Sequence, residues 1–361
     1  MGRTSKSEEH LPQVSEGDEK ARGVLAQTDS AQMRTERVSN GDFKMIARRT
    51  FIQSLAVLPL ASRTLAHGRE LFDGSWTQAS RQRELPWRMR LPSASGTVPL
   101  VIYSHGLGGS REGGQAWGAA WADAGIAVLP LQHPGSDEAA GRQGGVGLRQ
   151  AATADQFVER LLDVRFAIDE LQRRRLSGEP PWSRIAVDSI GVAGHSFGAL
   201  TTQAIAGQKY PGVEGLSDPR PKAFVALSPA LPVGVKMDFA QAFADVGRPF
   251  FALTGSRDFS PTQGSASAQR AGVYDALPKG QRALLWLDGA THQTFGGNRV
   301  SQMRQDGSDP SNENHSLDRH SALIALATGA WWRWRLKGED AARQMLESLD
   351  GLGRGDRLLI G

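Results

Sequence analysis

Short apolar runs alternate along the chain with longer amphipathic stretches, from about residue 76 to residue 336. Six of these runs are apolar at nearly every position, which is typical of strands covered by helices on both faces. They lie at 99–103, 126–131, 190–193, 223–227, 249–253 and 283–287. The alternation predicts βαβ units and therefore an α/β fold with an open, mostly parallel central sheet and helices on both faces.

The amphipathic stretches between these runs predict helices at 115–124, 154–175, 199–207, 268–277 and 317–336. In the longest of them, apolar residues recur every three or four positions, which gives one core-facing stripe. The stripe consists of Phe157, Leu161, Val164, Ile168 and Leu171. Ahead of the first run, apolar and polar residues alternate over 76–91, which is typical of a hairpin or a pair of edge strands. Pro86 favours an edge position, because proline cannot donate a hydrogen bond to a neighbouring strand.

The amino-terminal part of the chain differs from the rest. Residues 1–44 are polar and lack a periodic apolar face, which predicts a disordered or untranslated extension, with Met45 or the earlier Met33 as alternative starts. Residues 45–67 contain Arg48-Arg49 ahead of a short apolar region, a pattern typical of a twin-arginine signal. We therefore expect export through the Tat translocon to the periplasm or the medium. The alternative is an ordinary amphipathic helix with two exposed arginines.

The remaining residues 68–361 are expected to form one catalytic domain, because no internal repeat and no later segment long enough to span a membrane are found. The 42 Lys and Arg against 38 Asp and Glu leave a net charge of +4, too small to predict a nucleic-acid partner. The chain has no cysteine, which excludes disulfides, thiolate metal sites and a cysteine nucleophile. We expect neither a metal nor a cofactor.

A nucleophile is predicted in Gly194-His195-Ser196-Phe197-Gly198, which fits G-x-S-x-G directly between a strand and a helix. A sharp strand-to-helix turn needs small residues on both sides of the serine, and the two glycines supply them. The following helix also directs its free N–H groups at the negative charge formed during attack. The alternative is a glycine-rich turn with an idle serine.

A serine hydroxyl needs a base, and the base needs an acid that orients it. His292 follows the last predicted parallel strand, and Asp258 follows the strand before it, so both lie in loops at the carboxyl edge of the sheet. With Ser196 they give the chain order Ser, Asp, His. Weaker candidates for the base and the acid are His315, His320 and Asp288.

The oxyanion of a tetrahedral intermediate needs two N–H donors. The first is the N–H of Phe197, directly after the nucleophile, and the second is expected from Leu107 in the loop 105–109. This loop, His-Gly-Leu-Gly-Gly, could instead bind phosphate, but it lacks the G-x-G-x-x-G spacing and the Walker lysine.

These residues carry a resemblance to the α/β-hydrolase superfamily. Within it, the chain resembles the predicted dienelactone-hydrolase and bacterial platelet-activating-factor-acetylhydrolase-like group. The matching stretches are 104–111, 133–137, 163–165, 191–198, 226–230 and 291–297. The resemblance implies an α/β-hydrolase fold and a serine ester hydrolase with Ser196 as nucleophile, Asp258 and His292 as acid and base, and Leu107 and Phe197 as donors. True dienelactone hydrolases use a cysteine, so dienelactone is not the expected substrate.

The expected activity is therefore hydrolysis of small or short-acyl carboxylic esters through an acyl-enzyme, with the ester and water as the only reactants. A thioesterase, acyltransferase or peptidase could use the same three residues, and so could a lipase or polyester hydrolase. Secreted polyester hydrolases commonly have Trp where this chain has His195. The non-enzyme alternative is an inactive binding module of the same fold, and the oligomeric state is left open.

Overall fold

The structure, a computed structural model, describes residues 62–66, 69–93, 95–231, 238–260, 267–298 and 310–361. The predicted extension 1–44 and the predicted export signal up to residue 61 lie outside the described residues. The last part of that signal, Ser62–Ala66, is a strand paired antiparallel with the next strand of the chain. Export stays a prediction.

Ten strands form one sheet. They are β1 Ser62–Ala66, β2 Arg69–Gln78, β3 Arg83–Leu91, β4 Val98–Ser104, β5 Ala127–Leu131, β6 Ile185–His195, β7 Ala223–Leu227, β8 Phe250–Arg257, β9 Arg282–Thr291 and β10 Arg357–Ile360. Their order across the sheet is β1-β2-β3-β5-β4-β6-β7-β8-β9-β10. The six central strands are parallel; they are β5, β4, β6, β7, β8 and β9. The outer strands pair antiparallel. The α/β class and the mostly parallel sheet are thus confirmed, and the six apolar runs form the parallel strands.

Helices connect the central strands. The described helices are α1 Gln115–Asp123, α2 Glu138–Arg142, α3 Gly144–Ala151, α4 Ala154–Ser177, α5 Phe197–Ala206, α6 Phe239–Phe243, α7 Ser267–Ala276, α8 Pro310–Lys337 and α9 Asp340–Glu347. Short 3-10 turns lie at Ala79–Arg81, Trp182–Arg184 and His292–Gly296. None of the described helices is both long enough and apolar enough to cross a membrane.

The core has two parts, one on each face of the sheet. Alternate residues of β4 show this division: Leu100 and Ile102 belong to the cluster under α4 and α5, whereas Val101 and Tyr103 belong to the cluster under α1 and α8. All seven residues of β4 are buried. Burial of both strand faces explains why the central strands are apolar at every position instead of alternating.

Pro86 contradicts the prediction that it lies in an edge strand, because β3 pairs with both β2 and β5. The carbonyl of Pro86 accepts a hydrogen bond from the N–H of Gln132, one residue beyond the end of β5. The side of Pro86 that lacks an N–H therefore faces the end of its neighbour, where the ladder stops. An interior strand tolerates proline there because the hydrogen bond that its missing N–H cannot make falls at the end of the ladder.

The chain reverses its direction across the sheet at β4, which lies between β5 and β6. In open α/β sheets, ligands bind beyond the carboxyl ends of the strands at such a reversal. Ser104, the last residue of β4, is in register with Gly194 of β6. The loop 105–109 and the turn at Ser196 consequently meet at this point.

Candidate active site

Ser196 occupies a strained turn between β6 and α5. Its backbone has φ 56° and ψ −116°, a left-handed φ that is unusual for a residue with a side chain. The turn is possible because its flanks are glycines: a Cβ on Gly194 would lie 2.2 Å from the carbonyl oxygen of Gly198, and a Cβ on Gly198 only 1.9 Å from that of Ser104. The close packing lifts the Ser196 side chain to the carboxyl edge of the sheet.

The structure brings Ser196, His292 and Asp258 into one hydrogen-bonded relay. His292 Nε2 lies 2.9 Å from Ser196 Oγ, and His292 Nδ1 lies 2.8 Å from Asp258 Oδ1. The tautomer with the proton on Nδ1 donates to the carboxylate and leaves Nε2 free to accept the serine proton. Asp258 is fully buried and Ser196 is 7% exposed. The relay thus runs from the interior towards the edge where ligands bind.

Three further groups bind the carboxylate of Asp258. Thr254 Oγ1 donates to Oδ2 at 2.8 Å, and Ser228 Oγ donates to Oδ1 at 2.8 Å. The buried guanidinium of Arg270 lies 3.3 Å from Oδ1 through Nε. Burial by itself raises the pKa of Asp258, but the hydrogen bond from His292 and the charge of Arg270 outweigh it and hold this pKa below its usual value. The carboxylate therefore stays ionised and can orient His292.

His195, the variable residue of the elbow motif, supports the backbone of His292. Its Nε2–H donates to the carbonyl oxygen of His292 at 3.0 Å, and the two ring centroids are 4.9 Å apart. Burial, followed by the nearby His292, lowers the pKa of His195 to about 3, so its ring is neutral at pH 7. Gly106 and Gly296 lie beside this ring, since a Cβ on them would be 3.3 and 3.5 Å from it, respectively.

The loop that carries Leu107, one of the two predicted oxyanion donors with Phe197, lies beside the nucleophile: a Cβ on Gly106 would be 3.4 Å from the Cβ of Ser196. The neighbouring N–H groups are engaged, because Gly108 donates to Ser136 and Gly109 to Gly106, each at 3.0 Å. Within the described residues, no loop or side-chain hydrogen bond uses the N–H of Leu107 or Phe197. Both groups stay predicted oxyanion donors.

The loop 105–109 packs against the helices α2 and α3. Gly108 has φ +72°, and a Cβ there would lie 3.0 Å from the Leu148 side chain. Gly108 and Gly109 also line a cavity of about 490 Å³, within the size range of small-molecule sites, whose described walls do not include Ser196 or His292. Its walls are formed by Gly108, Gly109, Ser110, Glu112, Gly113, Gln115, Ala116, Glu138, Gly297 and Asn298.

The competing residues named from the sequence bond elsewhere. Asp288 accepts a hydrogen bond from Ser256 at 2.7 Å, and the buried His320 contacts Arg319 at 2.9 Å. His315 lies in α8, and its side chain is outside the described part of the structure. Among the described residues, no group of three or more His, Cys, Asp or Glu side chains could hold a metal ion.

Sequence reasoning missed Ser228 and Arg270 as parts of this site. Ser228 follows β7, has φ 57°, and lies 2.8 Å from both Asp258 Oδ1 and His292 Nδ1. Its position after a parallel strand was a usable signal, because Ser196 and Asp258 follow strands in the same way.

Comparison with known proteins adds nothing to this geometry: no protein-family model and no curated protein matches the chain.

Proposed function

We propose that the protein has an α/β-hydrolase fold and hydrolyses carboxylic esters through a serine acyl-enzyme. The observation that carries this proposal is the relay of 2.9 and 2.8 Å that joins Ser196 to Asp258 through His292 on a strained strand-to-helix turn. The order of the parallel strands also supports it, because Ser196 follows β6, the strand next to the reversal at β4.

In this mechanism, Ser196 Oγ attacks the acyl carbon while its proton passes to His292 Nε2. The carbonyl oxygen becomes an oxyanion, which accepts hydrogen bonds from the N–H groups of Leu107 and Phe197. The intermediate collapses, the C–O bond to the alcohol breaks, and the alkoxide takes the proton from His292. Water then attacks the acyl-enzyme with His292 as base, and the acid and free Ser196 are released. Asp258 holds the imidazole in the reactive tautomer and stabilises its protonated form.

We propose small or short-acyl esters as the substrates. The amino-acid sequence contains no motif typical of long-chain lipid binding, which favours short acyl groups. Thioesters, amides, lipids and polyesters are the substrates of the alternative activities.

The test is the variant Ser196→Ala, assayed with nitrophenyl esters and with a fluorophosphonate that labels activated serines. We expect loss of labelling and a fall in kcat of about 10⁴-fold or more, because the nucleophile is removed while the fold remains. The control is Ser177→Ala, an exposed serine at the end of α4 that bonds only to nearby backbone. Retained hydrolysis or labelling in Ser196→Ala would contradict the proposal.

A substrate panel separates the alternatives. The panel contains nitrophenyl esters of increasing acyl length, a thioester and an anilide. We expect the short-chain ester to have the highest kcat/KM of these substrates. A preference for the thioester, the anilide or the longest chain would instead identify a thioesterase, a peptidase or a lipase. A wild-type protein that neither hydrolyses any of these nor labels would be an inactive binding module.

A further inference from the structure

A second Ser–His–Asp chain lies beneath the loop 105–109. Ser104 Oγ is 3.0 Å from His133 Nε2, and His133 Nδ1 is 3.0 Å from Asp163 Oδ2. The atoms follow the same order as in the relay of Ser196. All three residues are at most 1% exposed, so no substrate can reach the hydroxyl of Ser104. This chain needs a role other than nucleophilic attack.

The proton positions in this chain follow from its charges. Arg83 binds both carboxylate oxygens of Asp163, at 2.6 and 2.8 Å. Although burial alone raises the pKa of Asp163, the hydrogen bonds from His133 and Arg83 lower it to about 2, so the carboxylate is ionised. Burial and the charge of Arg160 lower the pKa of His133 to about 4, so its ring is neutral. Its Nδ1–H therefore donates to Asp163, and its Nε2 accepts the hydroxyl proton of Ser104.

This arrangement leaves the oxygen of Ser104 free to accept a hydrogen bond, and Arg160 supplies it. Arg160 Nη2 donates to Ser104 Oγ at 3.0 Å and also to the carbonyl of His105. Nη1 donates to Ser136 Oγ at 2.9 Å, and Nε donates to Thr201 Oγ1 at 3.2 Å. The guanidinium is fully buried. It thereby joins the end of β4, the loop before α2 and the first turns of α5.

The same guanidinium touches both halves of the proposed oxyanion hole. On one side, it bonds to His105, two residues before Leu107. On the other side, it lies 4.7 Å from the ring centroid of Phe197. Thr201 extends this second contact, because its hydroxyl donates to the carbonyl of Phe197 at 3.1 Å. The two N–H donors belong to separate segments, and Arg160 bonds to or packs against both segments.

We propose that Arg160 is a positioning residue that sets the spacing between the N–H groups of Leu107 and Phe197, and that Ser104, His133 and Asp163 hold its guanidinium in place. The inference rests on the proposed ester hydrolysis. A planar fork that donates in several fixed directions suits this task, whereas an ammonium group is a single point charge. Burying a full charge is costly unless it is well bonded, and the bonds of Arg160 go to the segments that carry the two donors.

The test compares Arg160→Lys with the wild type in hydrolysis of nitrophenyl acetate. Lysine keeps the charge but loses the fork, so we expect kcat to fall by about 10²-fold, the cost of displacing catalytic groups by about 1 Å. KM should change little. Affinity for a boronic acid, whose tetrahedral adduct places an oxygen in the oxyanion hole, should fall in parallel with kcat. The control is Arg173→Lys in the same helix, because Arg173 is 63% exposed and pairs with Glu170.

The outcomes separate the inference from the proposed function. If the wild type hydrolyses esters and Arg160→Lys keeps its kcat and its boronic-acid affinity, the positioning role is wrong and the proposed function stands. If the wild type has no esterase activity, the proposed function and the positioning role are both wrong. A loss of stability with unchanged kcat for the folded fraction would also overturn the inference, because that is the result of a merely structural role.

Two milder variants cover the case in which Arg160→Lys does not fold. Ser136→Ala and Thr201→Val each remove one hydrogen bond from the guanidinium and leave the charge in place. Each should lower kcat of the folded protein several-fold and weaken the boronic acid in the same proportion. Unchanged values in both variants would overturn the inference.

Discussion

Acidification should destabilise the protein through His133, and the structure sets the size of the effect. The pKa of His133 is lowered from 6.5 to about 4 by burial and by Arg160. The unfolded chain therefore binds this proton more tightly than the folded one, so the stability contribution is complete above pH 6.5 and is lost as the pH falls towards 4. At pH 5 the unfolded His133 is protonated and the folded one is still neutral. pH 5 lies about 1.5 pH units below the pKa of the unfolded His133, which corresponds to a loss of about 2 kcal/mol in the free energy of unfolding.

The measurement is urea unfolding at pH 7 and pH 5, followed by the fluorescence of the nine tryptophans. His133→Asn removes the titrating ring and retains an N–H donor for Asp163. The variant should be less stable than the wild type at pH 7, but its loss between pH 7 and pH 5 should be smaller by about 2 kcal/mol. Burial lowers the pKa of His195 in both proteins, so its contribution cancels in this comparison. Equal losses in both proteins would refute the reasoning.

Two further predictions concern the relay. Gly198→Ala places a Cβ 1.9 Å from a carbonyl oxygen of β4, so we expect esterase activity to fall by about 10²-fold or more and the melting temperature to drop. Gly247→Ala, which meets nothing within 4 Å, is the control, and a fully active Gly198→Ala would contradict the prediction. Ser228→Ala removes a hydrogen bond to the Asp258 carboxylate and should lower kcat about 10- to 100-fold with little change in KM. Ser256→Ala, which alters a serine outside the relay, should keep full activity; an equal effect of the two changes would show that the first is not specific.

The sequence was sufficient to predict the parallel core and the meeting of the three relay residues. Strands buried on both faces are apolar throughout, so their runs are visible without further information. Parallel strands also place all their carboxyl ends at one edge. Ser196, Asp258 and His292 each follow such a strand, and this is why residues up to 96 positions apart could be assigned to one site.

The buried polar chain was not predicted, although its helix was. The core stripe of α4 was assigned from apolar residues alone, yet Arg160 and Asp163 lie on the same buried face. A charged residue at a core position is tolerated only with partners, and here the partners are 24 to 80 positions away in the sequence. Helix periodicity shows that such a residue points inwards, but it cannot show which distant groups bind it. The helices α2 and α3 were missed for a different reason, because their glycines weaken the apolar pattern on which helix prediction depends.

The two Ser–His–Asp chains show that interatomic distances do not by themselves identify a nucleophile. The serine-to-histidine distances are 2.9 and 3.0 Å, and each imidazole is hydrogen-bonded to a buried carboxylate. What differs is the serine. Ser104 ends an ordinary strand, is sealed from solvent, and gives its oxygen to Arg160. Ser196 lies at a strained φ where a helix begins, with two uncommitted N–H groups expected beside it. Backbone strain, access to a ligand and a free oxygen are therefore the features that favour Ser196 as the reacting residue and leave Ser104 a structural role.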